Sequence, residues 1–198
     1  MWWKDFETYF RIVIRPKHEK IVIFLDDSLR NFVASHKVLG LLVPSSSNTP
    51  DKKPVLTRYA NKIWFQNDFQ NTYDVVSGIP TASFYLLASS VCNHKDNIES
   101  IIIDWDKTLS VHSSFKMQII NKRVMECYFG GIRRMKAMTY FFQKCRQNKI
   151  NVMILTANSR AKYDVKAFQK GLSYVKADWI PVLFTDMTKT SYINKVLQ

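Results

Sequence analysis

The run Ile101, Ile102, Ile103, Asp104, Trp105, Asp106, Lys107, Thr108, Leu109 places three β-branched residues directly ahead of two carboxylates one residue apart. An uninterrupted apolar run of this kind reads as a strand buried on both faces, as in a parallel sheet, and such sheets present ligands at the carboxyl ends of their strands. Asp104 then falls in the crevice. Asp106, two positions on, points the same way if the strand persists, although the chain must bend there to open a site. A carboxylate is costly to bury unless it is paired or bound to a cation. A pair at a strand mouth therefore points to Mg²⁺, to a phosphate-processing site, or to both. The bland alternative is a polar strand end leading into a turn capped by Asp106.

The same pattern recurs on either side of this run. Upstream, Ile21, Val22, Ile23, Phe24 and Leu25 end in Asp26 and Asp27, and Ser28 is placed to cap a helix through Phe32, Val33 and His36 to about Val38. Gly40 would end that helix and Leu41 to Val43 would form a further strand, which makes a compact βαβ unit. Downstream, Val152 to Leu155 form a strand ending in Thr156, Ala157, Asn158, Ser159 and Arg160, and a strand near Ile180 to Phe184 is followed by Lys189. A long helix is expected over residues 121–147, broken at Gly130 and Gly131, with others over 81–91, 161–174 and 190–197. Residues 2–14 read as a short helix followed by an extended piece, and residues 44–60 as a long Ser, Asn, Pro and Lys-rich connection. The fold class is α/β, a Rossmann-like open parallel sheet with helices on both faces. Four strand ends carrying a carboxylate pair, a hydroxyl, an ammonium and a second carboxylate pair are not required by packing, so their convergence on one sheet edge speaks for a site.

These four ends resemble the haloacid dehalogenase superfamily of phosphatases and phosphotransferases. Asp104, Asp106 and Thr108 match its first motif, Thr156 its second, and Lys189 its third, with Lys162 a weaker candidate. The fourth, a strand ending in an acidic pair, does not follow Lys189 but lies at the other end of the chain, in Phe24, Leu25, Asp26, Asp27, Ser28 and Asn31. The resemblance therefore implies a circularly permuted member with its fourth motif and fifth strand ahead of the first. It divides a single domain of residues 1–198 into a permuted strand-helix-strand unit at 20–43, a connecting or accessory segment at 44–99, and a core at 100–198. Such a rearrangement is tolerable because termini in compact domains are often close and a break in a surface connection leaves the sheet intact. The alternative is that Asp26 and Asp27 belong to an ordinary turn.

The resemblance implies roles. Asp104 would be the nucleophile and Asp106 the proton donor and acceptor. Mg²⁺ would sit among Asp104, the carbonyl of Asp106, and Asp26 or Asp27. Thr156, Lys189 and backbone N–H groups of residues 105–107 would hold the transferring oxygens. Asn158 would orient Asp106 or cap the next helix. Lys107 and Arg160 are candidate substrate contacts, and Trp105 would wall the pocket or stack on a substrate ring.

The short connections after Leu109 and after Phe184 leave little room for a cap, which favours a phosphorylated macromolecule over a small metabolite. Lys and Arg total 29 against 16 Asp and Glu, a net charge of +13. That charge attracts nucleic acid, an anionic membrane or a phosphoprotein without choosing among them. A DNA or RNA end is the leading substrate. A phosphoprotein, transfer to an acceptor other than water, and a non-catalytic nucleic-acid-binding or structural subunit docked to a larger complex are the alternatives. Three isolated cysteines, the absence of an apolar run of transmembrane length and a charged N-terminal stretch fit an intracellular protein, cytoplasmic or nuclear.

Overall fold

The computed structural model describes residues 20–32, 37–43, 62–64, 77–112 and 120–196. Six strands, β1 (Ile21–Asp26), β2 (Val38–Leu42), β3 (Lys62–Trp64), β4 (Ile98–Ile103), β5 (Asn151–Thr156) and β6 (Val182–Phe184), form one sheet in the order β3-β2-β1-β4-β5-β6. Every neighbouring pair is parallel. The strands have both faces to cover, and their side chains alternate accordingly. Ile21, Ile23 and Leu25 of β1, with Ile101 and Ile103 of β4, enter the larger core, whereas Val22, Phe24 and Ile102 enter a smaller one.

The larger core is closed by α1 (Thr81–His94), α2 (Lys122–Tyr128), α3 (Ile132–Gln147) and α5 (Val165–Ser173), through residues such as Phe84, Met125, Phe141 and Phe168. The short α4 (Arg160–Tyr163) leads into α5. On the opposite face α6 (Lys189–Val196) inserts Ile193 beside Phe24, Phe32 and Leu155. Helices therefore cover both faces, as expected for this class.

The connectivity places the site. From β1 the sheet grows to one side through β2 and β3, the chain returns by way of α1 to β4, and from there it grows to the other side through β5 and β6. The order reverses between β1 and β4, and the crevice at such a switch point is where open α/β sheets bind ligands.

Several local readings change. Of the helix expected from Ser28 to about Val38, residues 33–36 lie outside the described residues; Leu29–Asn31 form a 3₁₀ turn, and Val38, expected at the helix end, opens a strand instead. Asp26 is the capping group there: its Oδ1 accepts the Ser28 N–H at 2.7 Å. Gly40 does not end a helix. It sits inside β2 opposite Phe24, where a Cβ would run into the ring of Phe32. The long helix of residues 121–147 is broken at Gly130 and Gly131 as expected, both with positive φ. The helix expected over 161–174 is interrupted at Asp164, whose carboxylate caps α5 through the Ala167 N–H. Part of the 44–99 segment belongs to the fold itself, since β3 extends the sheet edge and α1 packs on α3 in the larger core. The expected helix at 2–14 and the loop at 44–60 lie outside the described residues, as do 33–36, 65–76 and 113–119. No helix among the described residues is long and apolar enough to cross a membrane.

Candidate active site

Asp104 follows β4 and Asp26 ends β1, so the switch point brings two carboxylates together from strands that are neighbours in space and far apart in sequence. Asp27 joins them: one ligand oxygen from each of Asp26, Asp27 and Asp104 lies within 4.8 Å of the others. Lys189, the first residue of α6, reaches in from the second face. Its Nζ lies 2.8 Å from Asp26 Oδ2 and 2.5 Å from Asp104 Oδ1, and all three groups are buried.

Asp26 is heavily engaged. Besides Lys189 and the Ser28 N–H it accepts the Asn31 amide on Oδ1 at 3.0 Å and on Oδ2 at 3.1 Å. Asn31 is a residue whose role sequence reasoning left unassigned, although it stood in the fourth-motif run. Its signal was there to find, because an amide five residues after a buried carboxylate across one turn is within reach of it.

Three carboxylates around one ammonium leave a negative excess in a dry place. Burial, reinforced by the charges of Asp26 and Asp27 and opposed by Lys189, raises the Asp104 pKa from an ordinary aspartate value to about 8. Burial disfavours the Lys189 ammonium, but Asp104 and Asp26 outweigh it, and Lys189 titrates above an ordinary lysine. The ammonium is therefore fixed while Asp104 holds a proton up to mildly alkaline pH. An all-oxygen donor set of this kind could hold a metal cation.

Lys189→Met should cost about 3–5 kcal/mol, because it removes the cation that the buried Asp26 carboxylate and the Asp104 carboxyl share. Urea unfolding at pH 7.5 should show the midpoint falling accordingly. An unchanged midpoint would mean that the ammonium does not hold the cluster.

After Asp104 the strand does not persist. Residues 105–109 form one wide turn, closed by the Leu109 N–H on the Asp104 carbonyl at 3.1 Å and the Ser110 N–H on the Trp105 carbonyl at 2.9 Å. Asp106 keeps extended dihedrals inside it and Lys107 has φ of 56°. The turn carries Asp106 out of the strand line to the edge of the crevice, where its Oδ2 accepts the Asn158 amide at 3.1 Å. Asn158 serves both expected roles, because its Oδ1 also accepts the Arg160 N–H at 3.1 Å at the start of α4. Thr156 is buried and accepts the Asn158 N–H on Oγ1, which leaves its hydroxyl proton to be donated.

Other candidates make contacts of their own. Trp105 is fully buried in the core, edge-on to Phe129 and Phe168, and so neither walls the crevice nor meets a substrate ring. Its position in the turn, pointing away from Asp104 and Asp106, explains this. The Lys107 N–H donates to the His112 carbonyl at 3.1 Å and is not a phosphate donor in this arrangement. Arg160 pairs with Asp164 at 3.2 Å, and Lys162 lies over the rings of Tyr163 and Phe184. Thr108 fixes the turn through its carbonyl, which accepts from Ile79 N–H and from Arg134.

Arg134 gave no signal in the sequence. It is buried, and its guanidinium donates to the carbonyls of Ile79, Thr108, Leu109 and Phe129 at 2.8 to 3.1 Å. One side chain thus ties the turn after Asp104 to the entry of α1 and to the turn between α2 and α3. No protein-family model, curated protein or solved structure matches this chain.

Proposed function

We propose that the chain is a Mg²⁺-dependent phosphomonoesterase of haloacid dehalogenase type, circularly permuted, acting on a phosphorylated macromolecule such as a nucleic acid end. The observation that carries this reading is the meeting of Asp26, Asp104 and Lys189 at one sheet edge, with Lys189 163 residues beyond Asp26. The strand order supports it as well. The strand bearing Asp26 lies directly beside the strand bearing Asp104, with the Thr156 strand on the other flank and Lys189 entering just after the next one.

In this reading an Asp104 oxygen attacks phosphorus while Asp106, oriented by Asn158, protonates the departing ester oxygen. The aspartyl phosphate so formed is opened by water. Asp106 accepts the proton of that water, the bond between phosphorus and the Asp104 oxygen breaks, and inorganic phosphate leaves. Thr156 Oγ1–H and Lys189 stabilise the oxygens on which charge accumulates. Asp104, the Asp106 carbonyl, and Asp26 or Asp27 would hold the cation, since one carboxylate oxygen from each of the three aspartates lies within 4.8 Å of the others. When bound, Mg²⁺ supplies charge neutralisation between carboxylate and phosphate.

Phosphate release from 5′- and 3′-phosphorylated oligonucleotides, a phosphopeptide and an aryl phosphate, with Mg²⁺ or with EDTA, tests this. The expected result is release that needs the metal and is fastest on an oligonucleotide end. Release from none of them would sink the enzymatic reading, and preference for the phosphopeptide would move the substrate to a phosphoprotein.

A further inference from the structure

The outward face shared by α1 and α3 carries charge of one sign. Residues 122–149 contain eight Lys and Arg against one Glu, a net +7 in a chain whose total is +13. Neither α1 nor α3 contains an acidic residue. On α3 the residues Arg133, Lys136, Tyr140 and Lys144 follow i, i+3, i+7, i+11 spacing and so fall on one stripe, roughly 16 Å long at 1.5 Å per residue. Arg133 and Lys136 are exposed and Lys144 half-buried, and among the described residues none of the three forms an ion pair with a carboxylate.

Aromatic rings stand within this stripe. Tyr85 of α1 and Tyr140 of α3 are 46% and 42% exposed, with ring centroids 5.5 Å apart. The Lys144 ammonium lies 5.5 Å from the Tyr140 centroid. The face thus joins cations without carboxylate partners in i, i+4 positions to two neighbouring tyrosines almost half in water.

We propose that this face is the track along which a single-stranded nucleic acid lies, with bases stacking on Tyr85 and Tyr140 and phosphates meeting Arg133, Lys136 and Lys144. Cations flanking exposed rings are the combination that single strands require, since every unpaired base offers a face to stack and every linkage a charge to neutralise. A duplex keeps its bases stacked on one another and gains nothing from the rings. The stripe begins at the end of α3 that meets the turn after Asp104, because Arg133 precedes Arg134, whose guanidinium holds the carbonyls of Thr108 and Leu109. The inference deepens the phosphomonoesterase reading by giving a strand end its path to Asp104, and it is measured without turnover.

The experiment is fluorescence anisotropy of an unphosphorylated oligothymidylate with the full chain, in parallel with the Asp104→Asn chain. Both should bind alike. Tyr85→Ala with Tyr140→Ala should weaken binding roughly tenfold or more, while Tyr85→Phe with Tyr140→Phe should retain it. Lys136→Gln with Lys144→Gln should lower the slope of log affinity against log salt by about 1.4, at about 0.7 per phosphate contact. Undiminished binding by the alanine pair would overturn the proposal. So would competition by polyglutamate as effective as by the strand, which would assign the face to an acidic protein, or equal binding to phosphatidylserine vesicles. Absence of phosphatase activity alongside the expected binding pattern would remove the enzymatic reading and leave the track.

Discussion

Asp104→Asn should abolish metal-dependent phosphate release and, in the metal-free chain, raise the unfolding temperature. The first effect follows from the loss of the attacking oxygen, since an amide is no nucleophile toward phosphorus, and deletion of a covalent nucleophile costs about 10⁴-fold or more. The second follows from the negative excess around Lys189. The Asp104 carboxyl has its pKa raised to about 8 in the folded chain, chiefly by burial, whereas an unfolded aspartate titrates near 4. Between those values the folded state holds a proton that the unfolded state has lost. Stability contributed by this group is therefore complete below about pH 4 and declines as pH rises toward about 8. The amide escapes that decline and still accepts from Lys189, which keeps its partner Asp26. The advantage of the variant should grow from pH 5 to pH 8, reach a few kcal/mol, and shrink when Mg²⁺ is added to the parent. Scanning calorimetry over that pH range decides it. A variant less stable than the parent at pH 8 would show that the carboxylate is not strained there.

The second large effect belongs to Arg134. Arg134→Met should destabilise the chain by about 4 kcal/mol, in the range seen when one partner of a buried polar network is removed. Four carbonyls, on Ile79, Thr108, Leu109 and Phe129, would lose a donor with no water to replace it. The guanidinium is still charged at neutral pH, although burial lowers its pKa to about 9. Arg134→Lys should recover only a minor part of the loss, because one ammonium nitrogen cannot span acceptors that a planar fork reaches from three nitrogens. Hydrogen exchange should show the Leu109 and Ser110 amides losing protection first, since their turn depends on those contacts. Equal stability of the Met and Arg chains would mean that the carbonyls find other donors.

What the sequence disclosed and what it hid divide along a physical line. The strands around Ile101 and Ile21 announced themselves because both faces of a parallel strand must be apolar, and the carboxylates after them stood out against that background. Asp26, Asp104 and Lys189 could be grouped because each directly follows, or closely follows, such a strand. Gly130 and Gly131 marked the break between α2 and α3 through their lack of a Cβ. The reading failed where a distant group decides a local outcome. Val38 and Gly40 looked like the end of a helix by their spacing, yet both lie in β2, and Gly40 is required by the ring of Phe32 instead of by a helix end. Trp105 read as a substrate contact by adjacency, but a wide turn sends successive side chains to opposite sides. Arg134 was unreadable because an arginine in a basic amphipathic helix resembles its solvated neighbours, and only the turn packed beneath it reveals otherwise.

The separation of Asp26 from Lys189 also governs when the centre can come into being. β1 and β4 can pair as soon as the chain has been made as far as Ile103, and that pairing already brings Asp26 and Asp104 side by side. The compensating ammonium, 163 residues beyond Asp26, arrives only with α6, after β5 and β6 have been added to the sheet. A nascent chain short of residue 189 therefore has the acidic pair without the ammonium that Asp26 and Asp104 share. Docking of α6 is accordingly the step expected to complete the centre.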